Sequence, residues 1–222
     1  MKQSETGAGS GLYSIRQAAK LLRLRPSVLK YWIGQRGELH PVVLPEFTDD
    51  SILSFAQLME LHFVKMFRDE GVSFQYIRKA AKNASQQFKA QYPFTVKRFD
   101  TDGRSIFATM KSKETDKTIV QDLEKGQLVF QTIIRPFFKK LDYSRSNEVE
   151  RFWPLKQKGR VVLDPQRRFG QPIDSETGVP TRALIDAVTA GDGQDAKTVA
   201  KWFDVPLEAV KAAIRFEKSL AT

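Results

Sequence analysis

Arg25, Ser27, Lys30 and Tyr31 place a guanidinium, a hydroxyl, an ammonium and a phenol close together in the chain, all suited to hydrogen bonding with phosphate oxygens and base edges. Helical spacing sets them on one side of a short helix. Pro26 suits the first turn of that helix, where its missing N–H is not needed, and Val28, Leu29, Trp32 and Ile33 then fall on a buried apolar stripe. A preceding helix is expected to begin near Ile15, because Ser14 and Gln17 stand at capping-box spacing. Its apolar positions are Ile15, Ala18, Ala19, Leu21 and Leu22, which leave Arg16, Lys20 and Arg23 on the wet side. Arg36 follows shortly after the second helix. Two short helices joined by a three-residue turn form a helix-turn-helix, whose second helix enters the major groove with its N-terminal residues near base edges. Arg25 and Lys30 are therefore the leading expected DNA contacts, with Arg16, Lys20, Arg23, Ser27, Tyr31 and Arg36 around them. Tyr31 has a second possible use, covering the edge of the core.

Enzymatic chemistry finds no comparable arrangement. The histidines are His40 and His62, and neither stands at a metal-ligand spacing such as His-Glu-x-x-His. Asp100, Asp102, Asp116 and Asp122 lie near turn signals, where aspartate serves local hydrogen bonding. With no cysteine, thiolate metal sites, cysteine nucleophiles and disulfides are excluded. We assign no catalytic residue and no metal ligand, and expect no cofactor.

The charge distribution supports a polyanionic partner for the first helices. The chain has 222 residues and a net charge of +10, and its first 36 residues carry 7 Lys/Arg against the single acid Glu5. Residues 1–90 hold 13 basic and 8 acidic side chains, residues 91–160 hold 15 and 9, and residues 161–222 hold 8 and 9. A concentrated basic patch binds nucleic acid by releasing condensed counterions. The change in charge near residue 160 suggests more than one domain. We expect a flexible arm over 1–11, a winged helix-turn-helix over 12–91, a β-rich insert and linker over 92–159, and a helical domain over 160–222. Lack of a transmembrane run or signal-peptide core, together with the absent cysteines, leads to the expectation of a cytoplasmic protein.

Val42–Leu44 and Ser51–Leu53 could form the strands of a wing. A capping box at Ser54 and Gln57 opens a helix carrying Phe55, Leu58, Met59, Leu61, Val64 and Phe67, which should stop at Gly71 before another begins at Ser73. The alternation over Phe94–Phe99, the Asp102-Gly103 turn signal and Ser105–Met110 predict a β-hairpin, with Ile119-Val120 as a third strand. Leu128–Leu141 is expected to be helical, with a break or kink at Pro136. A strand at Val161–Leu163 and turns at 169–173 and 177–181 precede helices at about 182–190, 195–203 and 206–218. In these, Val199, Trp202 and Phe203 should pack on Leu207, Val210 and Ile214. The fold class expected is mainly α with a small β-rich insert, an N-terminal winged helix-turn-helix and a C-terminal three-helix, helix-turn-helix-like domain.

The run from YSIRQAAKLL through LKYW, GELHP and LSFAQLMELHFVKMFRDEGVSFQYIRKA resembles the DNA-binding domain of the MerR superfamily over roughly residues 12–85. That resemblance implies DNA contact by Lys30 and Tyr31. The family's arginine-tyrosine wing signature is replaced by Glu46, Asp49 and Asp50, and acids would be repelled by phosphate. The segment from Arg160 onward resembles the small C-terminal domain of a VapB-type antitoxin family, some members of which join it to an N-terminal helix-turn-helix. The combined resemblance implies an antitoxin of a type II toxin-antitoxin system, which represses its own operon and neutralises a PIN-like ribonuclease toxin. Its carboxylate-rich active site would accept a basic plug, for which Arg167 and Arg168 are suited. Phe152, Trp153 and Arg160, at the expected domain junction, could be toxin-facing anchors or a buried hinge. A homodimer would place two recognition helices about 34 Å apart on double-stranded DNA, with the Phe55–Phe67 helix as the expected dimer surface. The alternative is a MerR-like transcription regulator that answers to a small-molecule ligand and has no toxin.

Overall fold

The computed structural model of the protein describes residues 11–34, 52–112, 124–156, 158–190 and 195–221. The chain opens with β1 (Leu12–Ser14), α1 (Ile15–Leu21) and α2 (Pro26–Trp32), followed by β2 (Ile52–Ser54), α3 (Phe55–Asp69), α4 (Phe74–Phe88) and α5 (Arg98–Ser112). Both capping boxes form: Ser14 and Gln17 start α1, and Ser54 and Gln57 start α3. β2 pairs antiparallel with β1, with Tyr13 opposite Leu53. The proposed wing residues Val42–Leu44, Glu46, Asp49 and Asp50 lie outside the described residues, as do His40 and Ile119-Val120.

The expected dimer helix is instead central to the core. Phe55, Leu58, Met59, Leu61, Phe63, Val64 and Phe67 of α3 are all buried, as is Glu60. Apolar residues this numerous cover more than one face of a helix, so α3 is packed from several sides and presents no dimer stripe. Glu60 accepts hydrogen bonds from the backbone N–H groups of Phe94 and Thr95 at 3.1–3.2 Å, which fixes the turn entering α5.

The β-hairpin expected between Phe94 and Met110 is replaced by the single helix α5. Phe99, Gly103, Ile106 and Met110 recur at helical spacing and are buried. Gly103 is needed for packing: a Cβ there would strike the Phe130 ring. Beyond residue 123, helical backbone over 124–129 widens into a π turn at Phe130–Ile134 and closes as α6 (Arg135–Phe138). The π turn accommodates Pro136, which withholds an N–H from the ladder, so the helix continues through the proline where a break or kink was expected.

A four-stranded antiparallel sheet follows in the order β3 (Leu141–Tyr143), β4 (Val149–Phe152), β5 (Val161–Leu163) and β6 (Pro172–Asp174). Phe152 lies opposite both Leu141 and Leu163, so this sheet runs across the expected boundary at 159/160. The C-terminal helices are α7 (Thr181–Ala190), α8 (Ala196–Trp202) and α9 (Leu207–Leu220). α9 has two buried faces. Ala212 and Phe216 join the core that contains Leu22, Leu58 and Phe63, while Ala209, Val210 and Ala213 pack with Leu184 and Val199. Trp202 and Phe203 depart from expectation: they are exposed, and Val199 alone of the three enters that smaller core. The chain turns between α8 and α9 at Asp204, which adopts a φ of 50°.

Candidate DNA-binding surface

α1 and α2 are held at their angle by apolar contacts on one side. Ala18, Ala19 and Leu22 meet Leu29, Trp32 and Ile33 in the core, and Trp32 makes an edge contact with Phe74 at the start of α4. The turn between them closes through Arg23 N–H to Lys20 O and Leu24 N–H to Ala19 O, at 3.0 and 2.8 Å. Arg23 takes a left-handed φ of 51° there. Arg25 occupies the cap position of α2 but its side chain makes no capping hydrogen bond, so the guanidinium is not used to start the helix.

The opposite side is polar and exposed: Arg16, Lys20, Arg23, Arg25, Ser27, Lys30 and Tyr31 all reach solvent. Arg25, Ser27, Lys30 and Tyr31 share the open face of α2. Tyr31 is 44% exposed, so it leaves the core edge uncovered. Lys20 is used differently, its ammonium lying 2.6 Å from Glu217 of α9. Glu217 also accepts the Thr181 hydroxyl at 2.9 Å and thereby joins α1 to α7. Arg23 faces a cavity between α1, α3, α6 and α9. Arg36 lies outside the described residues.

The residues assigned by sequence to toxin contact separate into two groups. Phe152 packs between His62 and Phe137, and Trp153 is buried with its indole N–H donating to Asp142 at 2.9 Å. Arg160 forms two hydrogen bonds to Asp174, at 2.7 and 2.9 Å, and pairs with Glu176, while Arg167 donates to the Ser175 carbonyl at 2.8 Å. These four side chains hold the sheet and its turns. Arg168 remains exposed, and beside it sequence reasoning missed Phe169, which is 66% exposed. Both residues have positive φ, 48° and 56°, in a turn that ends at Gly170. The signal available in sequence was Gly170 itself, where a side chain would collide with the Tyr13 hydroxyl.

Tyr13 links the two ends of the molecule. Its hydroxyl donates to Gly170 O at 2.6 Å from a position 2% exposed, and burial raises its pKa. Among the described residues no group of three or more His, Cys, Asp or Glu side chains could hold a metal ion. No helix among them is long and apolar enough to cross a membrane.

Comparison with known proteins places this surface in context. The family model described as "MerR HTH family regulatory protein" matches residues 13–84. Over 204 residues, 81% of this chain and 83% of the relative, the sequence is 25% identical to a Mycobacterium tuberculosis protein named "Putative antitoxin VapB45". The fold is similar to the X-ray crystal structure of Rv2018 from Mycobacterium tuberculosis, with a TM-score of 0.74, 21% identity and coverage of 91% of this chain and 96% of that one. The exposed face of α2 thus lies within a segment, residues 13–84, that is a helix-turn-helix domain of the MerR family.

Proposed function

We propose that the protein is a DNA-binding antitoxin of a type II toxin-antitoxin system, repressing its own operon and neutralising a PIN-like ribonuclease. The observation carrying the DNA half is the open face of α2, where Arg25, Ser27, Lys30 and Tyr31 stand together on a helix whose other side is locked into the core. Arg25 and Lys30 supply the principal contacts, and Arg16 adds charge on α1. The toxin half draws on the likeness, over four-fifths of the chain, to a protein named "Putative antitoxin VapB45" and on the turn that displays Arg168 beside Phe169. A cation next to an exposed aromatic ring suits an acidic nuclease cleft with an apolar edge. The DNA-bound form is a homodimer, which brings two α2 helices to half-sites about one helical turn apart.

Co-expression with the product of the neighbouring reading frame tests the toxin half. A nuclease that co-purifies and is silenced by the wild-type chain, but escapes a chain carrying Arg168→Glu and Phe169→Ser, is the expected result. A nuclease silenced equally by both chains would remove this turn from the contact.

A further inference from the structure

The cavity faced by Arg23 has a volume of about 300 Å³, at the lower end of the range for small-molecule sites. Its walls come from both the first and the last helices of the chain and from elements between them: Leu21 of α1, Met59 of α3, Phe137 of α6, Phe152 of β4 and Phe216 of α9. His62 lies among them, with ring centroids 4.7 Å from Phe137 and 5.3 Å from Phe152. Burial, reinforced by the nearby Lys65, Lys140 and Arg23 charges, lowers its pKa to about 3, so the imidazole is neutral at physiological pH. The imidazole thus adds an uncharged ring to the apolar side chains of the lining.

The charged groups lining the cavity are Arg23, Lys65, Lys140 and Asp69. Asp69 pairs with Lys65, one turn before it on α3. Lys140 donates to the Pro154 carbonyl at 3.2 Å, a neutral partner, and forms no ion pair among the described residues. Arg23 has no ion pair among the described residues. Among the described residues, two cations thus face this apolar pocket without acidic partners. The lining asks for a molecule with a flat apolar body and one negative charge.

We infer that this cavity is a binding site for a small aromatic carboxylate, whose ring lies among Phe137, Phe152 and Phe216 and whose carboxylate meets Arg23 and Lys140. Arg23 is the left-handed residue of the turn joining α1 to α2, so the bound carboxylate would act on the segment that orients α2. An occupied site changes DNA affinity only insofar as it favours one orientation of that turn. This second part rests on the DNA-binding reading, whereas the binding site itself does not.

Calorimetric titration of the full chain with 2-naphthoate tests the site, with 2-naphthalenemethanol and 2-naphthylmethylammonium as neutral and cationic probes of the same body. Naphthoate should bind with one molecule per chain and at least ten times more tightly than either control. Arg23→Gln and Lys140→Gln should each weaken it at least fivefold while the thermal midpoint stays within a few degrees. No heat with naphthoate, equal affinity for all three probes, or unchanged affinity in both variants would each overturn the proposal. Anisotropy with DNA from upstream of the protein's own reading frame, with and without saturating naphthoate, then tests coupling on the wild-type chain. At least a threefold change in affinity is expected. Naphthoate binding with unaltered DNA affinity would refute the coupling alone, and a chain that binds naphthoate but no DNA would refute the DNA reading alone.

Discussion

At the scale of single residues, the structure distinguishes basic side chains that are available from those already engaged. Arg25 and Lys30 lie on an open helix face, whereas Arg160 is held by Asp174 and Glu176 and Arg167 by a backbone carbonyl. The first case was legible in sequence because helical spacing is local. The second was not, since a pair such as Arg160 and Asp174, 14 positions apart, is made by strand pairing that no short window reveals. Tyr13 gives a stability prediction at this scale. Tyr13→Phe leaves a buried Gly170 carbonyl without its donor and should cost about 1–2 kcal/mol in urea unfolding, with an unchanged m-value. His62 gives a pH prediction. Its folded pKa is depressed from 6.5 to about 3, so below pH 6.5 the unfolded chain takes up a proton that the folded one refuses. The contribution to stability is present above pH 6.5 and is lost as pH falls towards 3, at up to about 1.4 kcal/mol per pH unit. Buried Glu60 acts in the opposite sense, because its folded pKa is raised and its contribution is lost as pH rises. An NMR titration isolates the histidine: the His62 ring resonances should hold their neutral positions from pH 8 to 5, and a midpoint near 6.5 would contradict its burial.

At the scale of elements, the helix starts were readable and the middle of the chain was not. Ser14 and Ser54 are each followed by a glutamine at the third helical position, and both capping boxes are present. Ser54→Ala should accordingly destabilise the protein by about 1 kcal/mol. Asp102-Gly103 carries an equally strong local signal for a turn, yet it lies inside α5. The deciding contact is with Phe130, 27 residues later, whose ring occupies the space a side chain at Gly103 would need. Gly103→Ala should therefore destabilise α5 despite alanine's higher helix propensity, by about 1–3 kcal/mol of overpacking. A gain in thermal midpoint for that variant would show that the ring and α5 are not in contact. α3 teaches the same lesson about oligomers: a rich apolar stripe looked available for a partner copy, but α4, α5, α6 and the sheet already surround it.

For the whole molecule, the fall in positive charge after residue 160 suggested a separate C-terminal domain, but packing joins the two regions. Phe216 of α9 enters the same core as Ala19 of α1, Lys20 pairs with Glu217, and Tyr13 bonds to Gly170. Charge records what the surface meets, and it does not mark where cores divide. Phe216→Ala should cost about 3–5 kcal/mol and lower stability across both regions together. A chain ending at residue 160 should lose helical circular dichroism in α1 and α2 along with the missing helices, so deletion of the C-terminal region will not yield a free DNA-binding unit. The engagement of both ends also gives a route by which partner binding to α7–α9 would reach α1.

The central claim is that the exposed face of α2 binds DNA, and fluorescence anisotropy with DNA from upstream of the protein's own reading frame tests it most directly. The wild-type chain should bind with an affinity that falls steeply with salt, and the Arg25→Ala, Lys30→Ala double variant should bind at least tenfold more weakly with a shallower salt slope, at wild-type thermal stability. Equal affinity and equal salt dependence for the two chains would contradict the account.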